Sequence, residues 1–249
     1  MKKFTIIYVG KLDFRKYKGG IETFSKILIK NVKIPIFSIF FDTKNKCEKN
    51  ICTIKPLFNF LESPFSFFPF SLLIKHKPKL IHINLPNPFL EFQFLLYFLL
   101  RGKRERLLIT YHADAPHYSF LHTFFDFLRY FWLIPLLKLS DKIVITSKYY
   151  LEKSFPLRHV KDKIRIIPLG IDFNELKNSY KKSFLEKKWK LKNKEIILFV
   201  GRLCEYKGLE YLIKAFKNVV EKNRNVVLVI VGYGPLLGKL KKMTEKVIR

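Results

Sequence analysis

Apolar residues recur along the chain in short uninterrupted runs, at 5–9, 34–41, 80–83, 107–111, 142–146, 164–168, 196–201 and 226–232. Runs of this length without polar alternation are the trace left by strands buried on both faces. Segments of helical length lie between most of them, at 20–31, 64–75, 88–101, 119–139, 147–155 and 208–223. Strand and helix in alternation predict parallel βαβ units, and hence a doubly wound α/β fold. The rhythm breaks at 172–194, a polar, lysine-rich stretch that follows Ile167-Pro168-Leu169-Gly170-Ile171-Asp172, and resumes with a new strand at 196. This predicts a first domain over 1–172, a linker over 173–194 with a helix around 182–190, and a second, smaller unit over 195–249. No internal repeat of fixed period is visible.

Composition narrows the class. Hydrophobic residues at 49% and charged residues at 27% exclude disordered and collagen-like chains. Lys and Arg number 48 against 20 Asp and Glu, a formal charge of +28. Such a surface attracts phosphates of every kind: nucleic acid, nucleotides or anionic lipid. No RRM, KH or helix-turn-helix pattern is present, so nucleic acid is not an expected partner. The three cysteines, Cys47, Cys52 and Cys204, form no CxxC pair and are odd in number. They argue against a disulfide scaffold or a zinc site and fit a reducing cytosolic setting. The N-terminus reads as a first strand rather than a signal peptide. The most apolar stretch, 89–100, is too short for a bilayer core of ~30 Å, which predicts a soluble or peripheral protein. The aromatic segments 58–70, 88–101 and 120–139 lie near a basic knot of Arg101, Lys103, Arg104 and Arg106. They suit either the covering of a sheet or contact with an anionic membrane.

Candidate chemistry sits in loops that follow strand ends, where open α/β sheets bind ligands. Gly19-Gly20 opens a helix, a place where backbone N–H groups can approach a phosphate closely. His82 and Asn84 lie where a strand runs into the loop Leu85-Pro86-Asn87-Pro88, and His112 and Asp114 lie just past the strand 107–111. Each histidine either meets a substrate hydroxyl or is a structural imidazole. Arg202 and Lys207 flank a loop that begins at Gly201 and ends at a helix start; a guanidinium fork and an ammonium there suit a diphosphate. No Walker A, HExxH, GxSxG or EF-hand pattern occurs.

Taken in order, Gly19-Gly20-Ile21-Glu22, His82-Ile83-Asn84 with Pro86, Tyr111-His112-Ala113-Asp114, Asp141 to Ser147, Ile167 to Asp172, Phe199-Val200-Gly201-Arg202-Leu203, Tyr206-Lys207-Gly208 and Val231-Gly232-Tyr233-Gly234-Pro235 form a succession. That succession resembles the GT-B glycosyltransferases of family 4. The resemblance implies a GT-B type α/β fold: a complete N-terminal Rossmann-like, acceptor-side domain and a partial C-terminal Rossmann-like domain that binds a nucleotide-sugar donor. It implies a retaining, metal-independent transfer of sugar from a nucleotide-diphosphate sugar to a lipid- or glycan-linked acceptor, in cell-envelope glycan or glycolipid synthesis. By the same resemblance His112 and Asp114 are the catalytic candidates. Gly19, Gly20, Arg202 and Lys207 border the donor diphosphate, and Glu22, His82 and Asn84 belong to acceptor-side loops. No cofactor or metal is expected. The expected partners are the nucleotide-sugar donor, the acceptor and an anionic membrane surface, and the expected location is cytoplasmic, peripheral on the cytoplasmic face of the membrane. The family's Glu-x7-Glu segment has no counterpart after Pro235, which implies a C-terminally truncated donor domain. The alternative expectation is a non-catalytic acceptor- or membrane-binding subunit completed by another chain.

Overall fold

The first apolar run becomes β1 (Ile6–Leu12), the strand on which the larger sheet is organised. In the computed structural model the described residues are 4–17, 19–60, 63–102, 105–114, 120–173, 187, 189, 191 and 193–245. The chain divides into two compact units, Met1–Asp172 and Phe173–Arg249. The helix expected around 182–190 lies almost wholly outside the described residues.

In the first unit β1 pairs in parallel with β2 (Ile36–Phe41) on one side and β7 (Leu80–Leu85) on the other. Beyond β7 come β8 (Arg106–Tyr111), β9 (Lys142–Ile145) and β10 (Ile164–Ile166), all parallel. Beyond β2 come β4 (Ile51–Ile54) and an antiparallel edge strand β3 (Lys46–Glu48), so the sheet reads β10-β9-β8-β7-β1-β2-β4-β3. The chain winds outward from β1 through β2 and then returns to β7. The crevice between the carboxyl ends of β1 and β7 is therefore the topological switch point.

Helix α1 (Gly20–Asn31) covers one face of this sheet. Helices α2 (Ser71–His76), α3 (Pro88–Arg101) and α4 (Phe120–Leu139) contribute to the core on the opposite face. That core is formed by Ile7, Val9, Ile81, Ile83, Ile109 and Ile143 with Leu90 and Phe94 of α3 and Leu133, Leu136 and Leu137 of α4. The wall is completed by α5 (Lys148–Lys153) and a 3-10 segment, Pro156–Lys163, which supplies Leu157 and Val160. In the second unit β11 (Glu195–Val200) pairs in parallel with β12 (Val226–Val231). Helices α6 (Leu209–Lys222) and α7 (Leu237–Glu245) cover one side of that pair through Leu209, Ile213 and Leu240.

Two expectations are corrected and a third is extended. The segment 64–75 is not one helix: Pro64 lies in a hairpin of β5 (Phe58–Phe60) and β6 (Ser63–Phe65), and α2 begins only after Pro69. A proline inside a helix removes a hydrogen bond and clashes with the preceding turn, so the chain bends there instead. A disulfide is present, Cys47 to Cys52, because the β3–β4 hairpin places the two residues directly opposite each other with Cα atoms 4.1 Å apart. It ties one hairpin and leaves Cys204 free. Beside the short stretch 89–100 there is a longer apolar segment, α4, of 20 residues. Among the described residues α4 is the one helix long and apolar enough to cross a membrane by length and composition.

Helices α3 and α4 are joined by a buried ion cluster. Arg129 on α4 donates through Nε to Glu91 Oε2 at 2.6 Å and through Nη2 to Oε1 at 2.8 Å, while its Nη1 reaches Asp126 Oδ1 at 2.8 Å. Burial pulls the guanidinium towards neutrality, but Glu91, Tyr111 and Asp126 outweigh it and hold it charged. Removing one member of such a cluster strands buried charge and costs ~3–5 kcal/mol, whereas replacing all of it with apolar side chains is far cheaper. Arg129→Met is expected to lower unfolding stability by about that amount, and the triple replacement Glu91→Met, Asp126→Leu, Arg129→Met to recover most of it. Urea unfolding followed by circular dichroism checks both.

Candidate active site

Side chains of a strand alternate between faces, so Tyr8, His82, Asn84, Thr110 and the residue after β8, His112, all fall on the α1 side of the sheet. The register pairs Tyr8 with His82 and Asn84 with Thr110, which gathers them at the carboxyl ends of β1, β7 and β8. Asn84 donates from Nδ2 to the Val9 carbonyl at 2.9 Å, and its Oδ1 lies 2.9 Å from His112 Nε2. A carbonyl can only accept, so the Asn84 amide orientation is fixed and its Oδ1 must accept from His112. His112 therefore carries its proton on Nε2 and leaves Nδ1 with a lone pair. No partner for Nδ1 occurs among the described residues.

The His112 ring is further held by its backbone N–H, which donates to Leu85 O at 3.0 Å, and by Phe24 of α1, edge-on at 5.2 Å. Burial, with a contribution from Lys11, lowers its pKa to about 4. At neutral pH it is an uncharged imidazole able to accept a hydroxyl proton in a hydrogen bond. His82 is wholly buried; its Nε2 lies 2.7 Å from Thr110 Oγ1 and its ring meets Tyr8 edge-on at 5.0 Å. Burial, then the neighbouring His112, lowers its pKa to about 3. His82 is thus a supporting group beneath Asn84 and His112.

Tyr8 and Ser25 tie α1 to the same cluster. Ser25 Oγ donates to Ile21 O at 2.8 Å, so the 2.6 Å contact between the two hydroxyls has Tyr8 as donor. Gly19 is the N-cap of α1, and Gly20 has open space where a Cβ would stand. A Cβ on Gly19 would lie 2.3 Å from Glu22 Oε2. Glu22 therefore folds back over the helix start and meets the positive end of the helix itself.

Asp114 faces a different set of partners. Its Oδ1 accepts from Tyr111 Oη at 2.6 Å and from Ser154 Oγ at 2.9 Å, and its backbone N–H meets Tyr150 Oη. It shapes the loop after β8, and its hydrogen bonds run to Tyr111, Ser154 and Tyr150. In the second unit Arg202 and Lys207 are both exposed in the loop between β11 and α6. Lys207 Nζ lies 5.1 Å from the Tyr206 ring centre. This loop is pinned by Leu203 N–H to Tyr233 O at 2.8 Å and Gly201 N–H to Val231 O at 3.0 Å. A Cβ on Gly232 would stand 1.8 Å from Gly201 O, so the two loops meet backbone to backbone and only glycine fits.

The family described as Glycosyltransferase Family 4 matches residues 46–175, and that described as Glycosyl transferases group 1 matches residues 181–248. The chain belongs to glycosyltransferase family 4. It is 28% identical over 195 residues to the O-antigen chain mannosyltransferase C of Escherichia coli, covering 77% of this chain and 48% of that protein. It is 31% identical over 163 residues to a D-rhamnosyltransferase of Pseudomonas aeruginosa, covering 64% of this chain and 38% of that protein. The chain thus spans less than half the length of either relative. In fold it is similar to HepE of Anabaena, solved with UDP and glucose, at a TM-score of 0.68 and 14% identity, over 98% of this chain and 66% of that one. The family-4 chain therefore has the GT-B type of α/β fold.

Sequence reasoning did not reach Tyr8, Ser25, Thr110 or Phe24, the groups that orient the two histidines. The available signal was polar residues two apart, His82 and Asn84, inside an otherwise apolar strand. Because both histidines are held below the unfolded value of about 6.5, the unfolded chain takes up more protons once the pH falls below it. The stability due to them is complete above that pH and is lost as the pH falls towards 4 and then 3. Imidazole NMR signals of His82 and His112 are expected to stay constant between about pH 7.5 and about pH 5. A midpoint near ~6.5 for His112 would remove its assignment as a buried neutral group.

Proposed function

We propose that this chain forms the acceptor side and part of the donor side of a retaining glycosyltransferase that uses a nucleotide-diphosphate sugar and builds cell-envelope glycan. The observation that carries this reading is His112: neutral, fixed by Asn84, and presenting at the switch point of the sheet an Nδ1 that has no partner among the described residues. A group of that kind accepts a hydrogen bond from a sugar hydroxyl without adding charge to the site. The fold shared with an enzyme solved with UDP and glucose, and the O-antigen and rhamnose transferases among the relatives, support a nucleotide sugar as donor. In this reading the acceptor is lipid- or glycan-linked and the protein works at the cytoplasmic side of the membrane.

The chemistry separates the anomeric carbon from the diphosphate oxygen through an oxocarbenium-like state. The acceptor oxygen then bonds to that carbon on the face the leaving group vacates, and the acceptor proton passes to a phosphate oxygen of the leaving nucleoside diphosphate. One further negative charge develops on that diphosphate as the bond breaks. Arg202 offers a fork of donors and Lys207 a point charge, which together take the place a divalent ion would fill and make the transfer independent of metal. Asp114 acts by holding the loop that carries His112, through Tyr111, Ser154 and Tyr150.

Titration calorimetry of the chain with UDP- and GDP-sugars tests the donor assignment. Arg202→Ala and Lys207→Ala are each expected to weaken nucleotide-sugar binding by ~10-fold or more, about 1.4 kcal/mol, with EDTA leaving the wild-type affinity unchanged. His112→Ala is expected to spare nucleotide affinity and to abolish release of nucleoside diphosphate. Equal affinity in both base variants would reject the phosphate assignment, and loss of binding in EDTA would reject metal independence.

A further inference from the structure

Helices α3 and α4 are built inside out. The charged side chains in the middle of α4, Asp126 and Arg129, point inwards and are buried against Glu91 of α3. Its outward side instead shows Phe120, Phe124, Phe127 and Phe131, exposed by 86%, 47%, 61% and 70%. Their spacing of four, three and four residues is one continuous helical stripe. On α3 the outward positions are Phe92, Leu96, Leu99 and Leu100, the last exposed by 83%, at the same helical spacing. Ring contacts join the two stripes to the β5–β6 hairpin. Phe92 meets Trp132 at 5.9 Å, and Phe60 of the hairpin meets Phe125 at 5.0 Å.

Other helices of the chain do not share this pattern. The outward residues of α1 are Thr23, Lys26, Lys30 and Asn31, and those of α6 include Lys214, Lys217, Asn218 and Glu221. The apolar face is therefore a property of α3, α4 and the hairpin, not of the composition. An exposed patch spread over three elements needs a cover.

Charge indicates which cover. The acids of these two helices are Glu91 and Asp126, both buried and both spent on Arg129, so neither α3 nor α4 shows a negative charge outward. Arg101 at the end of α3, Arg106 at the start of β8 and Lys138 in the last turn of α4 are all exposed. Each lies at the amino-edge of the sheet, beside the apolar face. Aromatic and aliphatic side chains on two helices that show no acid outward, with bases at one end, complement the interface of an anionic bilayer. Spanning is excluded by the other side of α4, where Leu133, Leu136 and Leu137 are fully buried on the sheet.

We propose that the first unit docks on the interface of an anionic membrane through the outward faces of α3 and α4 and the β5–β6 hairpin, with its phenylalanines in the acyl-headgroup boundary and the flanking bases on lipid phosphates. The hairpin packs through Phe58 and Phe60 on Phe89, in the first turn of α3, which follows directly from the carboxyl end of β7. The membrane face thus reaches the same edge of the sheet as His112. The contact rests on α3 and α4 and stands whether or not the transferase reading does.

Flotation of the full chain on phosphatidylcholine vesicles, with and without about 30% phosphatidylglycerol, tests it. Binding is expected only with the anionic lipid and is expected to weaken in about 0.5 M salt. The triple variant Phe124→Ser, Phe127→Ser, Phe131→Ser is expected to reduce vesicle partitioning by ~10-fold or more while keeping the wild-type circular dichroism. Should that variant not fold, Leu99→Ser with Leu100→Ser on α3 serves the same purpose. Tyr211→Ser on α6, an equally exposed aromatic in the second unit, is expected to leave partitioning unchanged. Absence of wild-type flotation at low salt overturns the proposal, as does equal flotation of the folded variants. Self-association abolished by the triple variant, without vesicle binding, would also overturn it and assign the face to a second copy of the chain.

Discussion

The ion cluster of Arg129 with Glu91 and Asp126 sets the arrangement on which the rest of the first unit depends. Three charges beneath two otherwise apolar helices are costly to bury, and they repay that cost only in one rotational setting of α3 against α4. That setting directs the leucines of α4 into the sheet and its phenylalanines away from it. The same cluster extends to the loop that enters α3, since the Asn87 N–H donates to Glu91 Oε1 at 3.1 Å. Asn87 in turn accepts from Leu90 N–H as the helix cap. The end of β7, and with it the position of Asn84, is thus referred to the same buried arginine.

The sheet then separates two polar systems that must not mix. On the α1 side the cluster that holds His112 is built of neutral groups: a tyrosine, a serine, an asparagine, a threonine and two uncharged histidines. On the α3–α4 side they are charged and mutually compensated. Strand alternation alone accomplishes the separation, because residues one apart in β8 face opposite ways. Thr110 supports His82, while Tyr111 lies towards Arg129 and Asp114. A neutral acceptor at His112 is suited to recognise hydroxyl groups.

The parallel strands were legible because burial on both faces makes each of them an unbroken apolar run. The order of Gly19-Gly20, His82, His112 and Arg202 was legible because loops after such strands are short and carry the polar residues. Other features left no local trace. The β3 and β5 strands are three residues long, too short for a period to register. Cys47 and Cys52 become neighbours only through a hairpin. Hydropathy alone could not tell which side of α4 faces the sheet, because nearly every position is apolar. Only the pairing of Asp126 and Arg129 with a carboxylate 38 residues earlier decides it. The orienting partners of His112 were hidden for the same reason, since register, not sequence distance, brings Val9 and Asn84 together.

The large positive charge takes on a different meaning once these placements are known. At physiological ionic strength the field of an exposed base is screened within ~8 Å, so a uniform excess of lysine draws phosphates to the protein without choosing among them. Choice must come from contacts that act at short range. For a lipid phosphate the short-range partner is the apolar stripe beside it, which a soluble nucleotide cannot use. For a nucleotide diphosphate it is the fork geometry of an arginine on a loop whose backbone is immobilised, as Gly232 and Gly201 immobilise the loop of Arg202. The two ligands share a charge and differ in what accompanies it. In the proposed reading a single strongly basic chain holds both without confusing them, because its rigid loop and its apolar face lie on separate elements.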